Sequence, residues 1–169
     1  PAIVLANSDG TVETIVVDQW TGAAGETGTG TDTVVSYIDK HAGELVEYTV
    51  DGSKYDVTLV SGNGAGNDGV VKLKAIEAGE SKLALTNATK AETKHTSTST
   101  LYIFANYDSD GKITTTVTTV TGYNNVSDYT FSGIGAWAID TNSTLDGVAN
   151  VVFIGENVSA VGTDDFVYV

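Results

Sequence analysis

Hydrophobic residues recur mostly at every second position along this chain, the spacing that turns one face of a β-strand toward a core and the other toward water. The segment around Asp51-Gly52 shows the pattern best. Leu45, Glu47 and Thr49 alternate with Val46, Tyr48 and Val50, and beyond the turn Tyr55, Val57 and Leu59 alternate with Asp56, Thr58 and Val60. That is a hairpin pattern, with Gly able to take the positive φ of a tight turn. Similar reasoning predicts further strands at Ala2–Ala6, Val12–Asp18, Thr33–Ile38, Val70–Ile76, Thr100–Ala105, Ile113–Thr121, Gly135–Ile139, Val148–Ile154 and Phe166–Val169. Between them lie turn signals such as Asn7-Ser8-Asp9-Gly10, Asn67-Asp68-Gly69, Asp108-Ser109-Asp110-Gly111 and Asp146-Gly147. Short helical turns are expected near Ile38–Glu44 and Asp140–Leu145, each with too few periodic apolar residues for a framework helix. The expected fold class is all-β, an antiparallel β-sandwich or small barrel-like modules joined by hairpin turns.

Composition supports this reading and divides the chain. Threonine is abundant throughout, with Val, Ile and Tyr around it, and β-branched and aromatic residues pack well on a pleated surface. The run Thr86–Ser99 is polar and nearly free of core residues, which marks it as a linker or long loop. The division expected is an N-terminal β module over 1–85, a linker over 86–99 and a C-terminal β module over 100–169, or else one elongated domain.

Charge and missing residue types exclude several chemistries. The 169 residues carry 22 acidic side chains against 8 lysines and no arginine, for a net charge of −14. Phosphate-rich partners need a basic surface, so nucleic acid is not an expected partner, and no apolar run is long enough for membrane insertion. There is no cysteine, which removes thiol chemistry, thiolate metal sites and disulfides together. His41 and His95 stand beside no nucleophile motif and read as exposed bystanders. Gly64-Ala65-Gly66-Asn67-Asp68-Gly69 matches the letters of a dinucleotide-binding loop, but the segment after it reads as a strand, whereas pyrophosphate binding needs a helix N-terminus there. No catalytic residue and no enzymatic activity are expected.

Two candidate sites remain. Asn106, Asp108 and Asp110 place oxygen ligands at alternate positions before Gly111, as in the first half of a calcium loop, although Val117 stands where the bidentate Glu would be. Ca2+ is therefore the one cofactor the sequence brings into view. Trp20, Tyr107 and Tyr123 are the aromatic candidates for binding a glycan, with Trp20 expected to be exposed just before the Gly/Thr-rich stretch Thr21–Thr31, and Trp137 expected in the core.

Three stretches carry a family resemblance: Gly43–Tyr55, then Thr100–Phe104 leading through Thr121–Val126, and Val151–Ile154 running to Asp165–Val169. In them the chain resembles the β-rich repeat regions of S-layer-like, S-layer-homology-domain surface proteins of Gram-positive bacteria. The wall-binding motif of those proteins is absent from this chain. The resemblance implies an extracellular, cell-surface location and a structural role in a layer, stalk or fibre, with carbohydrate or host-ligand binding as the alternative. The expected partners are neighbouring copies or modules of the same protein, paired through the strands Ala2–Ala6 and Phe166–Val169.

Overall fold

The computed structural model describes residues 2–22, 25–41, 45–59, 70–77, 79–81, 83–85, 95–106, 117–130, 135–139, 148–156 and 165–168. In chain order the elements are β1 (Ala2–Ala6), β2 (Val12–Thr21), β3 (Thr27–Thr29), α1 (Thr31–His41), β4 (Leu45–Asp51), β5 (Lys54–Leu59), β6 (Val70–Ile76) and β7 (Ala84–Leu85). They continue with β8 (His95–Asn106), β9 (Thr118–Thr121), a 3-10 turn at Tyr123–Asn125, β10 (Tyr129–Thr130), β11 (Gly135–Ile139), β12 (Val148–Glu156) and β13 (Asp165–Tyr168). The all-β expectation holds, with one correction: both sheets are mixed rather than antiparallel. The pairs β1–β13, β13–β4, β2–β5 and β8–β12 run parallel.

The first sheet runs β1-β13-β4-β5-β2-β3, and β1 also pairs with β2, so the pairings close a circuit β1-β13-β4-β5-β2 back to β1. A small barrel results. Its interior follows from alternation: Ile3 and Leu5 of β1, Ile15 and Val17 of β2, Val46 of β4 and Val57 of β5 point into one buried cluster, with Tyr48, Tyr55 and Leu59 packed against it. The β4–β5 hairpin has the register its sequence implies, with Tyr48 opposite Val57 and Asp51 opposite Lys54. Tyr48 and Tyr55 meet edge to face, 4.9 Å between centroids.

The stretch Thr33–Ile38, expected as a strand, lies in helix α1. Val34, Tyr37 and His41 recur at the i, i+3, i+7 spacing of one helix face. Val34 N–H bonds to Gly30 C=O at 3.0 Å to open the helix, and Asp32 sits in its first turn, where a negative charge suits the helix dipole. Val34 is fully buried in the barrel cluster and Tyr37 packs against it. Tertiary burial thus overrides the modest helix propensity of Val, Ile and Thr. Close docking needs Gly28 on β3, because a Cβ there would stand 2.6 Å from the Thr33 methyl.

The second sheet has the order β10-β6-β11-β12-β8-β9, with β7 on β6. Its central strands are buried on both faces, and for that reason β11 and β12 read as nearly continuous apolar runs rather than alternating ones. On one face Ile103, Trp137, Ile139, Val151 and Phe153 join Ala6 and Leu45 of the barrel in a single cluster. On the other, Tyr102, Ala136, Ala138, Val152 and Ile154 pack with Leu73, Ile76, Leu83 and Val126. The division into sheets does not follow the division at 86–99. Strands β6 and β7, before it, belong to the second sheet, while β13, after it, belongs to the first.

The same stretch needs a second correction: His95–Ser99 are the first residues of β8, not linker, while 86–94 lie outside the described residues. His95 and Thr96 pair with Val148 and Ala149, and Leu101 then pairs with Val151, so Ser97–Thr100 bulge opposite Asn150. Hydroxyls fill the gap in the ladder. Thr100 Oγ1 donates to Ala149 C=O at 2.7 Å and accepts from Ser97 N–H at 2.8 Å, and Ser97 Oγ accepts from Ser99 N–H at 3.1 Å. Gly122 lies against this bulge, donating its N–H to Thr100 C=O at 2.8 Å.

Two stability predictions follow from this packing. Phe153→Ala removes a fully buried ring from the cluster shared by both sheets and should cost about 3–5 kcal/mol. Chemical denaturation followed by far-UV circular dichroism and by Trp20 fluorescence, in a Trp137→Phe background, should show both signals shifting together. Gly122→Ala should cost about 1–3 kcal/mol, since Gly122 has φ 88° and ψ 136° and a Cβ there would meet the Thr98 carbonyl oxygen at 2.8 Å. Thermal denaturation of the variant measures that loss.

Candidate functional site

Among the described residues, aromatic and ionisable side chains meet where α1 crosses the β2–β3 hairpin. His41, in the last turn of α1, contacts Glu26 through Nε2 and Oε2 at 2.5 Å. Its ring stacks on Trp20 of β2, with centroids 5.9 Å apart and planes 20° from parallel. Tyr37, one turn earlier, donates its hydroxyl to Gly25 C=O at 3.2 Å, and the hairpin itself is pinned by Gly22 N–H to Glu26 C=O at 2.7 Å. Helix and hairpin are thereby fastened at two points, and the side chains of His41 and Glu26 are 17% and 19% exposed.

Trp20 is completely buried, which corrects the expectation of an exposed sugar platform. The cause is an extra residue in β2. Val17 pairs with Tyr55 and Gln19 with Asp56, leaving Asp18 as a bulge. Strict alternation from Val17 would point Trp20 outward, and the bulge reverses the parity and turns it into the barrel. Asp18 takes up an exposed bond from Lys54 Nζ at 2.8 Å, which raises the lysine pKa but stabilises an open surface little. His41 is likewise no bystander, and His95 is half-buried at the start of β8. The signal for His41 was the helical spacing from Val34, which the β-branched composition masks.

The other predicted residues fall as follows. Tyr123 is half-buried in the 3-10 turn, against the outer cluster of the second sheet. Asn106 ends β8, with its backbone paired to Glu156. Tyr107, Asp108 and Asp110 lie outside the described residues, as does the glycine-rich 64–69 segment, after which Val70 begins a strand as expected. Among the described residues no three His, Cys, Asp or Glu side chains are grouped to hold a metal ion. No described helix is long and apolar enough to cross a membrane. Trp137 occupies the core, as its apolar strand implies.

Two further polar groups serve the backbone. Asp9 accepts at Oδ1 from Thr11 Oγ1 at 2.6 Å and from Thr11 N–H at 2.9 Å, which together hold its carboxyl below its ordinary pKa while fixing the β1–β2 turn. Tyr102, whose pKa burial pushes upward, donates to Thr96 Oγ1 at 2.8 Å across the β8 bulge.

The remaining feature is the position of β13. It lies between β1 and β4 and runs parallel to both, with Val4 opposite Asp165, Leu5 opposite Phe166, Ala6 opposite Val167 and Leu45 opposite Val167 on the far side. The strands Ala2–Ala6 and Asp165–Tyr168 are thus each paired on both edges within the chain. Comparison with family models, curated proteins and solved structures finds no match to this chain.

The fastening of α1 should be separable from the barrel. Glu26→Ala should lower stability by about 1.5–3 kcal/mol, the range for a hydrogen bond to a charged group. Its near-UV circular dichroism should lose intensity from the Trp20–His41 stack while the far-UV β signal is retained. Unchanged near-UV intensity would show that Glu26 does not orient the imidazole.

Proposed function

We propose that this chain is a non-catalytic structural module of an extracellular, cell-surface assembly, one that carries tension in a layer, stalk or fibre. The observation that supports this reading most is the parallel pairing of β1 with β13. A pull applied at Ala2 and Tyr168 draws two parallel neighbours in opposite directions along their length. All bonds of the β1–β13 ladder must then yield together, whereas a hairpin pulled at its open end gives way one bond at a time. Such a clamp suits a protein held in series with others.

The rest of the chain is consistent with that task. The barrel and second sheet share one buried cluster, so the body resists shear between its layers. A net charge of −14 keeps a densely packed surface protein soluble and unattractive to anionic polymers. Many polar side chains that a catalyst would keep available are engaged here in turns, bulges and the α1 fastening.

Force spectroscopy tests the reading directly. The chain held through residues 2 and 168 should unfold at a force several times that needed when it is held through residues 2 and 16, which unzips the β1–β2 hairpin from its open end. Equal forces in the two geometries would remove the mechanical basis of the proposal.

A further inference from the structure

Strand β13 belongs to the barrel by pairing but not by sequence. The other strands of the closed circuit come from residues 2–59, while β13 begins at Asp165, after the whole second sheet. The segment 2–59 therefore brings β1 and β4 to either side of a slot one strand wide, which waits for an element from more than a hundred residues away. Nothing in the bonds that fill the slot distinguishes the chain's own β13 from that of another copy. The parallel direction, the register and the main-chain partners are the same in either case.

On this basis, and resting on the structural reading above, we infer that copies of this chain join by strand exchange, β13 of one copy entering between β1 and β4 of the next. Exchange of an identical element replaces each internal bond by an equivalent external one, so its main cost is association. A donor and an acceptor site on different parts of each copy make a head-to-tail contact, which propagates as a filament or layer unless its rotation closes a ring. The eight residues between Glu156 and Asp165 set the spacing, since a fully extended link of that length reaches about 30 Å. Acceptor slots must lie within that distance of the donor's β12, so the copies pack against one another directly. This differs from pairing at open sheet edges, because β1 and β13 have no free edge while the slot is filled. It also places the β1–β13 ladder, under tension, between copies instead of within one.

The absence of cysteine makes the test clean. Val4 and Asp165 are direct partners, and neighbouring strands about 4.8 Å apart lie within disulfide reach. Val4→Cys and Asp165→Cys are prepared as separate variants, mixed at high concentration and oxidised mildly, and a double variant is oxidised in dilute solution. Exchange predicts a mixed disulfide between the two single variants, at least several-fold above the homodimers each forms alone, and a ladder of linked species from the concentrated double variant. An internal disulfide in the double variant with no mixed product from the single variants would overturn exchange and leave the tension-carrying reading standing. Neither internal nor intermolecular linkage would mean that β1 and β13 do not pair, and both proposals would fall.

Discussion

The structure depends on one buried contact, in which Trp137, Phe153, Ile103, Ile139 and Val151 of the second sheet meet Ala6 and Leu45 of the barrel. Each apolar side chain of that size contributes on the order of 2–3 kcal/mol when fully buried, so this face outweighs any of the surface ion pairs. It also imposes a rule on the sequence. Strands β1 and β4 must be apolar on both sides, one for the barrel interior and one for the sheet behind it. Ile3 and Leu5 face inward while Val4 and Ala6 face the second sheet, and Val46 and Leu45 divide in the same way. The barrel cannot be folded independently of its neighbour without exposing half of these residues.

That rule explains which parts of the fold were legible. Where one face meets water, as in β4 and β5, alternation located the hairpin and its turn. Strands β6 and β11 are legible with their boundaries, β6 because Val71, Leu73 and Ala75 alternate with Lys72 and Lys74, and β11 because it is a short apolar run that includes strand-favouring residues. Segments whose form is set by distant contacts were misread. α1 carries Thr, Val and Ile, which favour strands, and becomes a helix through the burial of Val34 against the barrel. Ser97–Thr100 have no apolar pattern because their hydroxyls, not their side-chain packing, complete the β8 ladder. Parallel pairing is not written in any local pattern, and so the mixed sheets could not be read from alternation alone.

The candidate site followed the same logic. Trp20 and His41 were visible as residues but not as neighbours, since a single bulge at Asp18 reverses the parity of β2 and brings the indole inward to meet the imidazole. A bulge has no signal beyond one misplaced polar residue, and in the alternating pattern Asp18 reads as the end of a strand. The sense in which the terminal strands were noticed was more useful. Their apolar character marks them as pairing elements, with neighbouring copies as the expected partner. Within one chain the fold lays β13 between β1 and β4.

Closing a barrel with a strand from the far end of the chain has a kinetic consequence as well as a mechanical one. Contacts between residues 4–6 and 165–167 are among the most distant in sequence, and the entropy of closing so long a loop must be met before the ladder forms. Local hairpins such as β4–β5 and β1–β2 can form first and leave the slot between β1 and β4 open until a β13 arrives. During that interval an incoming β13 from a crowded neighbour competes with the chain's own on equal terms in bonding, differing only in effective concentration. The outcome in dilute and in concentrated solution can therefore differ without any change in sequence. If copies exchange β13 as proposed, a module closed in this way is poised between monomer and polymer by its topology, and the concentration of copies decides which is formed.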